Sequence, residues 1–385
     1  EVATRLAQKH QVRLFVPDYD KYFPRGQVKG ELNLEIERIP FNTWSFTRWN
    51  VNRRFLKALE AYSPDKVIVT DGWYFKPPLI RALKDFKPIV RYYAYEGLCL
   101  HRHGIFYRYK YGRICEKDYL LGGLKDFFVC SKCMLGFLKA TRCSYFGQEY
   151  LFSGAWLPSY RKVVEEALSC ASTVIVYNRF IADRVRRYCD DVRIVPSGVD
   201  PDLFPELPQT GNHEPVIGMV GRVADPLKGR DLLFKAIDIL RKKRTDFEAW
   251  LTVTPDMGFI PAGYHLVPWQ TQENLHKVYR HLDICVVPSL WPEPFGIVAV
   301  EAMACQRPLV ATRVGGLQEI VVDGETGFLV DPSDPQMLAD RLEQLLDDPE
   351  LRRSMGLKGR ERVLNEFTWD HIVQKHYLPL LEQNQ

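Results

Sequence analysis

No stretch of the 385 residues comes near the roughly eighteen uninterrupted apolar residues that a membrane-spanning helix needs. Nothing at its start reads as a signal peptide. Net charge is scarce too: 52 basic against 48 acidic side chains leave +4, too little to argue for a nucleic-acid partner. Nine cysteines in a chain of this length do not make a secreted disulfide scaffold and point to a reducing cytoplasm. Also missing is the opening that an α/β domain normally has, a strand followed by a glycine-rich turn. The chain begins at Glu1 in a helix-like run, EVATRLAQKH, and then enters a strand, QVRLFVPD. The expectation is therefore a truncated fragment or incomplete gene product. An apolar content of 46% and a charged content of 26% are those of a globular chain long enough for two domains.

The stretch that organises the rest is ICVVPSLWPEPFGIVAVEAMACQRPLVATRVGG, residues 284–316. Ile284 to Val287 reads as a buried strand, ended by Pro288 and Ser289, and Pro292 and Pro294 hold open the loop that follows. A helix is expected from about Phe295 to Cys305, then a break at Pro308 and a second strand, Leu309 to Thr312, with Gly315 and Gly316 closing the unit. The backbone amides of Phe295, Gly296, Ile297 and Val298 would open that helix, and a phosphate is the natural guest at such an end. Glu293 lies in the loop and Glu301 about two turns into the helix, roughly 9 Å along the axis. That spacing suits a sugar at one carboxylate and a ribose at the other. A buried loop glutamate and a helix-surface glutamate are the plainer alternative.

Two cations precede this unit. EPVIGMVG reads as a strand and DLLFKAIDILRKKR as a helix, and between them GRVADPLKGR carries Gly221, Arg222 and Lys228 at the carboxyl edge of a sheet. Arg222 could grip phosphate oxygens through paired hydrogen bonds and Lys228 could supply a point charge, although basic residues at a helix start are also commonly just solvated. In the first half, helix and strand alternate as in a parallel sheet: a helix over 50–62, the strand KVIVT, a helix from Pro78 to Phe86, and the strand PIVRYYAYE. Residues 99–160 read as the least regular part. There HRHGIFYRYKYGR mixes aromatic with basic residues, which suits either an interfacial surface or a solvated face. Cys115, Cys130, Cys133 and Cys143 could hold a structural zinc, with ordinary cysteines as the alternative. Asp18-Tyr19-Asp20 has the D-x-D form of metal-dependent sugar transferases, but a polar loop after a strand explains it equally. The run VPSGVDPDLF followed by Pro205, Pro208 and Gly211 reads as a linker. The domain boundary is accordingly placed near 205, giving domains 1–204 and 205–369.

The motif E-P-F-G-I-V-A-V-E, with VPSLWPEPFG before it and GGLQEIVVDGETGFLVDPSD after it, resembles the signature of retaining glycosyltransferases of family 4, the glycosyl transferases group 1. The resemblance is dense over roughly 190–375. It implies a GT-B fold, two doubly wound Rossmann-like α/β domains facing across a cleft, with the last residues, from about 370 to 385, returning to the first domain. It implies a hexose carried from a nucleoside-diphosphate sugar, UDP- or GDP-linked, to a hydroxyl of a glycan, a lipid-linked or a small-molecule acceptor, with retention and without a metal cofactor. Glu293, Arg222 and Lys228 would be catalytic. Glu301, Gly221 and Phe295 to Val298 would bind the donor, and the loop after Val267 would lie against the base. The missing opening turn would lie near the donor phosphates and the acceptor. Where the family commonly has a histidine after the fourth strand, this chain has Tyr93, Tyr95 and Glu96, with His101 and His103 only later. Glu96 stands in as the acceptor-side residue. A GT-B sugar-nucleotide 2-epimerase and a weakly catalytic nucleotide-sugar-binding protein remain alternatives. A lipid-linked acceptor would place the protein at the inner membrane surface as a peripheral partner.

Overall fold

Short apolar runs become parallel strands, and the longer amphipathic runs between them become the helices that cover the strands. The computed structural model describes residues 1–19, 33–96, 98–99, 115, 119, 122–140, 145–207, 214–254 and 259–382. Two units can be separated, Glu1–Val195 with His376–Gln385, and Pro196–Lys375.

In the first unit, strand β1 (Arg13–Asp18) pairs in parallel with β2 (Glu35–Pro40). A second sheet holds β3 (Ile68–Val69), β4 (Ile89–Arg91), β5 (Thr173–Val176) and β6 (Val192–Ile194) in that order, all parallel. β5 is buried along its whole length, so TVIV reads as a continuous apolar run rather than an alternation. Between β4 and β5 the structure departs from the sequence reading. The expected irregular stretch contains helices at Gly123–Ala140 and Tyr145–Ser153. In the longer helix, Phe127, Met134 and Leu138 are buried at i, i+7 and i+11. Leu124, Phe128 and Leu135 lie on the outside beside exposed lysines, so the apolar residues are not confined to one face.

In the second unit, β7 (Val216–Met219), β8 (Glu248–Val253), β9 (His265–Pro268), β10 (Ile284–Val287), β11 (Leu309–Thr312) and β12 (Gly327–Val330) form one sheet. Its order is β12-β11-β10-β7-β8-β9, all parallel. The order reverses between β7 and β10, which makes their carboxyl ends the topological switch point of a doubly wound sheet. Helices Arg230–Arg241 and Pro335–Asp347 share one face of this sheet. Leu233, Ile237 and Leu240 of the first and Leu338, Leu342 and Leu345 of the second join a single core with Ile284 and Val286. Asp334 caps the second of these, its Oδ1 accepting from the Met337 N–H at 2.9 Å, as the Asp-Pro opening leads one to expect.

The division between units falls at 195/196, whereas the proline-rich stretch places it near 205. The reason is that the stretch is pinned down. The Phe204 carbonyl accepts from Arg360 at 3.0 Å, the Leu207 carbonyl accepts from the Arg307 guanidinium, and the Phe204 ring is fully buried. Likewise the return to the first unit comes at His376 rather than near 370. Leu342 is fully buried between the two core helices, so Leu342→Ala should lower the stability of the second unit by about 2–5 kcal/mol, read as an earlier urea midpoint with the fold retained.

Candidate functional site

β10 ends at Val287, and from Pro288 the chain runs through a loop to the helix Ile297–Ala304. Contacts on both sides hold this loop. The Leu290 N–H donates to the Leu227 carbonyl at 2.9 Å, which ties it to the segment after β7. Gly229, at φ +79°, passes so close that an added Cβ would lie 1.8 Å from the Pro288 carbonyl oxygen. On the other side the Gly316 N–H donates to the Glu293 carbonyl at 2.8 Å, and a Cβ on Gly315 would meet that same oxygen at 2.3 Å. Glycine is required at both turns because side-chain atoms have no room and because positive φ disfavours them.

The loop carries Glu293 inward, 6% exposed. Its Oε1 accepts from Lys228 Nζ at 2.6 Å and from the buried Ser289 hydroxyl at 2.5 Å. Ser289 is itself seated by the Thr312 hydroxyl, which donates to the Ser289 carbonyl at 2.5 Å. Lys228 ends a short 3-10 turn, Pro226–Lys228, whose first amide is capped by Asp225 (Leu227 N–H to Oδ1, 3.0 Å). Lys228 Nζ also stands 5.1 Å from the centre of the Trp291 ring. A buried carboxylate beside a cation in this way is compensated, and losing either partner leaves an unpaired charge.

Gly221 and Arg222 follow β7. The Thr252 hydroxyl accepts from the Gly221 N–H at 2.9 Å and donates to its carbonyl at 2.8 Å, and Thr252 pairs in register with Val267 on the edge strand. Arg222 is exposed. A Cβ on Gly221 would lie 3.5 Å from Val298, so this turn and the start of the Ile297–Ala304 helix are neighbours. Gly296 caps that helix in the left-handed region. Ile297 and Val298 form its first turn, and Phe295 is buried with its ring 6.0 Å from that of Phe367. The structure therefore gathers Gly221, Lys228, Glu293 and the helix start at one sheet edge, with Arg222 beside Gly221 and Val267 one strand beyond Thr252.

Glu301 is on the same helix but 5% exposed, and its Oε2 accepts from the Tyr279 hydroxyl at 3.1 Å. Burial pushes its carboxyl up from 4.5 to about 7, against the opposing pull of the Tyr279 hydrogen bond. Ser289, Thr312, Thr252 and Tyr279 are the members that sequence reading did not assign. From sequence, Ser289 reads only as a strand terminator.

Glu96 belongs to the first unit. Both its oxygens accept from backbone, from the Tyr93 N–H at 3.1 and 3.3 Å and from the Ala94 N–H at 3.0 Å, so it shapes its own turn. Nearby Lys76, unassigned from sequence, is 1% exposed and donates to the carbonyls of Thr70 (2.7 Å) and Arg91 (2.5 Å), bridging the chain after β3 to the end of β4. Cys130 and Cys133 stand one turn apart on the Gly123–Ala140 helix, and burial with Cys130 and Cys115 nearby pushes the Cys133 thiol up to about 12. A metal would require its thiolate. Cys143 lies outside the described residues, and among those described no group of three His, Cys, Asp or Glu is placed to hold a metal. In the D-x-D run, Asp18 ends β1, Tyr19 is buried against Phe46 and donates to Gln148 Oε1 at 2.7 Å, and Asp20 lies outside the described residues, as do His101 and His103.

The Glu301 carboxyl makes a pH signature. Its folded-state value is raised, so the fold holds a proton that the unfolded chain releases, and stability falls as pH rises from 4.5 to about 7. Glu301→Gln should remove this component, on the order of a few kcal/mol between the two limits, in urea unfolding compared at pH 5 and pH 8.

Residues 260–362 match the family described as glycosyl transferases group 1. The D-inositol 3-phosphate glycosyltransferase of Corynebacterium diphtheriae is 34% identical over 248 residues, 56% of this chain and 57% of that protein. The protein of the same name from Paenarthrobacter aurescens is 38% identical over 191 residues, covering 46% and 43%. The chain thus spans about half the length of the curated relatives it matches. Among solved structures, sucrose-phosphate synthase from Thermosynechococcus elongatus superposes with a TM-score of 0.65 at 22% identity, over 99% of this chain and 90% of that one. The Anabaena HepE structure in complex with UDP gives 0.60 at 15% identity, over 91% and 86%. At these identities the likeness is one of fold. Residues 260–362 are therefore a glycosyl transferases group 1 segment, carried on a chain with the α/β GT-B fold of its structural neighbours.

Proposed function

We propose that the protein is a retaining glycosyltransferase that moves a hexose from a nucleoside-diphosphate sugar to a hydroxyl acceptor. The observation that carries the reading is the hydrogen-bonded Lys228–Glu293 pair beside the start of the Ile297–Ala304 helix, at the switch point of the second sheet. Arg222, Lys228 and the first-turn amides meet the negative charge that grows on the departing diphosphate, so the reaction as we read it does not call on a divalent metal. Stabilisation aimed at developing charge is commonly the largest catalytic contribution. Glu293 holds hydroxyls of the transferred sugar and Glu301 the ribose, with the base near Val267. The acceptor oxygen attacks C1 from the face the diphosphate leaves. The C1–oxygen bond to the diphosphate breaks as the bond to the acceptor forms, and the acceptor's proton passes to a departing phosphate oxygen.

The HepE structure in complex with UDP makes uridine nucleotides the first donors to try. The name of the curated relatives adds a phosphorylated cyclitol to the acceptor candidates, beside glycans and lipid-linked hydroxyls met at a membrane surface in the cytoplasm. The test is thermal stabilisation by a panel of nucleoside diphosphates and their sugars, followed by turnover with and without acceptor. One nucleotide should raise the melting temperature, and Arg222→Ala should weaken its binding about tenfold or more. Turnover of the donor into a changed sugar without any acceptor would instead show an epimerase. Binding without turnover would show a nucleotide-sugar-binding protein.

A further inference from the structure

The helix Gly123–Ala140 has an inside and an outside of unlike character. Phe127, Met134 and Leu138 are buried, Phe127 against the Tyr119 ring at 6.3 Å and Met134 taking a hydrogen bond on sulfur from the Tyr74 hydroxyl at 3.3 Å. The outside carries Leu124, Phe128 and Leu135, which are 62%, 63% and 60% exposed, at positions i, i+4 and i+11. Three large apolar side chains open to water in one column are unusual on a soluble surface and mark a place where something else binds. Beside that column runs another at i, i+7 and i+14: Lys125, Lys132 and Lys139, all exposed. Asp126 is the helix's one acidic residue, and it is half-buried rather than in either column.

We propose that this outer face docks on an anionic lipid surface. Apolar side chains enter the headgroup boundary, and the lysines lay their stems along it with their ammonium groups at the phosphates. Charge argues for lipid over a second copy of the chain, since two such faces brought together would oppose two sets of three lysines. The same charges keep the helix from spanning, and no described helix is long and apolar enough to cross a membrane. The docking deepens the membrane-surface acceptor reading above but does not depend on the donor site.

Pelleting of the full chain with sucrose-loaded vesicles tests it, with phosphatidylcholine alone against a phosphatidylcholine–phosphatidylglycerol mixture. Binding is expected to the mixture only and to be released by high salt. Each lysine near an anionic surface strengthens binding about fivefold, so Lys125→Gln, Lys132→Gln and Lys139→Gln together should lower partitioning about a hundredfold. Leu124→Ser, Phe128→Ser and Leu135→Ser together should abolish it with an unchanged melting temperature, because none of the three is in the core. A wild type that stays in the supernatant with the anionic vesicles overturns the proposal. So does a serine variant that still pellets, or light scattering that shows a wild-type dimer which the serine changes dissolve. No sugar nucleotide is needed, so failure here is distinct from failure of the transferase reading.

Discussion

All six strands of the second sheet run in one direction, and that common direction decides where chemistry can occur. Core strands such as β7, β10, β11 and β12 are buried along their length, so side chains on the sheet faces are committed to packing. What remains available is the set of loops leaving the carboxyl ends, and parallel geometry delivers them all to the same edge. Lys228 and Glu293 are 65 residues apart and meet only because β7 and β10 are neighbours pointing the same way. A mixed sheet would have sent one of the two loops to the opposite side.

The two carboxylates of the motif end up in different electrical surroundings. Glu293 is matched by an ammonium and a hydroxyl, so its charge is compensated where it stands. The Glu301 carboxylate accepts from the Tyr279 hydroxyl, and burial raises its affinity for a proton towards neutrality. One motif thus supplies a carboxylate held in an ion pair and a second whose burial favours the protonated form. The separation is maintained by a loop with little freedom, braced by Ser289, Thr312, Leu290 and the two glycine turns.

The strand–loop–helix–strand of 284–316 was readable almost to the residue, because two fully buried strands flanked by prolines and glycines leave few other options: strands at 284–287 and 309–312, and the helix at 297–304. Less readable were residues whose importance comes from partners distant in sequence. Tyr279 looks like any aromatic on the buried side of an amphipathic helix until Glu301 is placed beneath it, and a serine after a strand looks like punctuation. The Gly123–Ala140 helix escaped for the opposite reason. Apolar residues on both sides erased the periodicity that a one-faced helix displays. Glu96 shows a limit of reading by position alone, since its carboxylate is turned back onto its own backbone.

The stretch between β6 and β7 has the composition of a loose tether, yet its carbonyls serve as acceptors for guanidinium groups from the interior of the second unit. Arg307 is 1% exposed and donates to the Leu207 carbonyl, Arg360 donates to those of Phe204 and Ala304, and Gln306 donates to the Glu206 carboxylate at 2.7 Å. Any dissection of the chain that starts the second unit after Leu207 would strand a guanidinium in an apolar interior. A fragment made that way would be unstable for a reason unrelated to its sheet. The residues that resemble a hinge are, in their hydrogen bonding, the lid of the core they lead into.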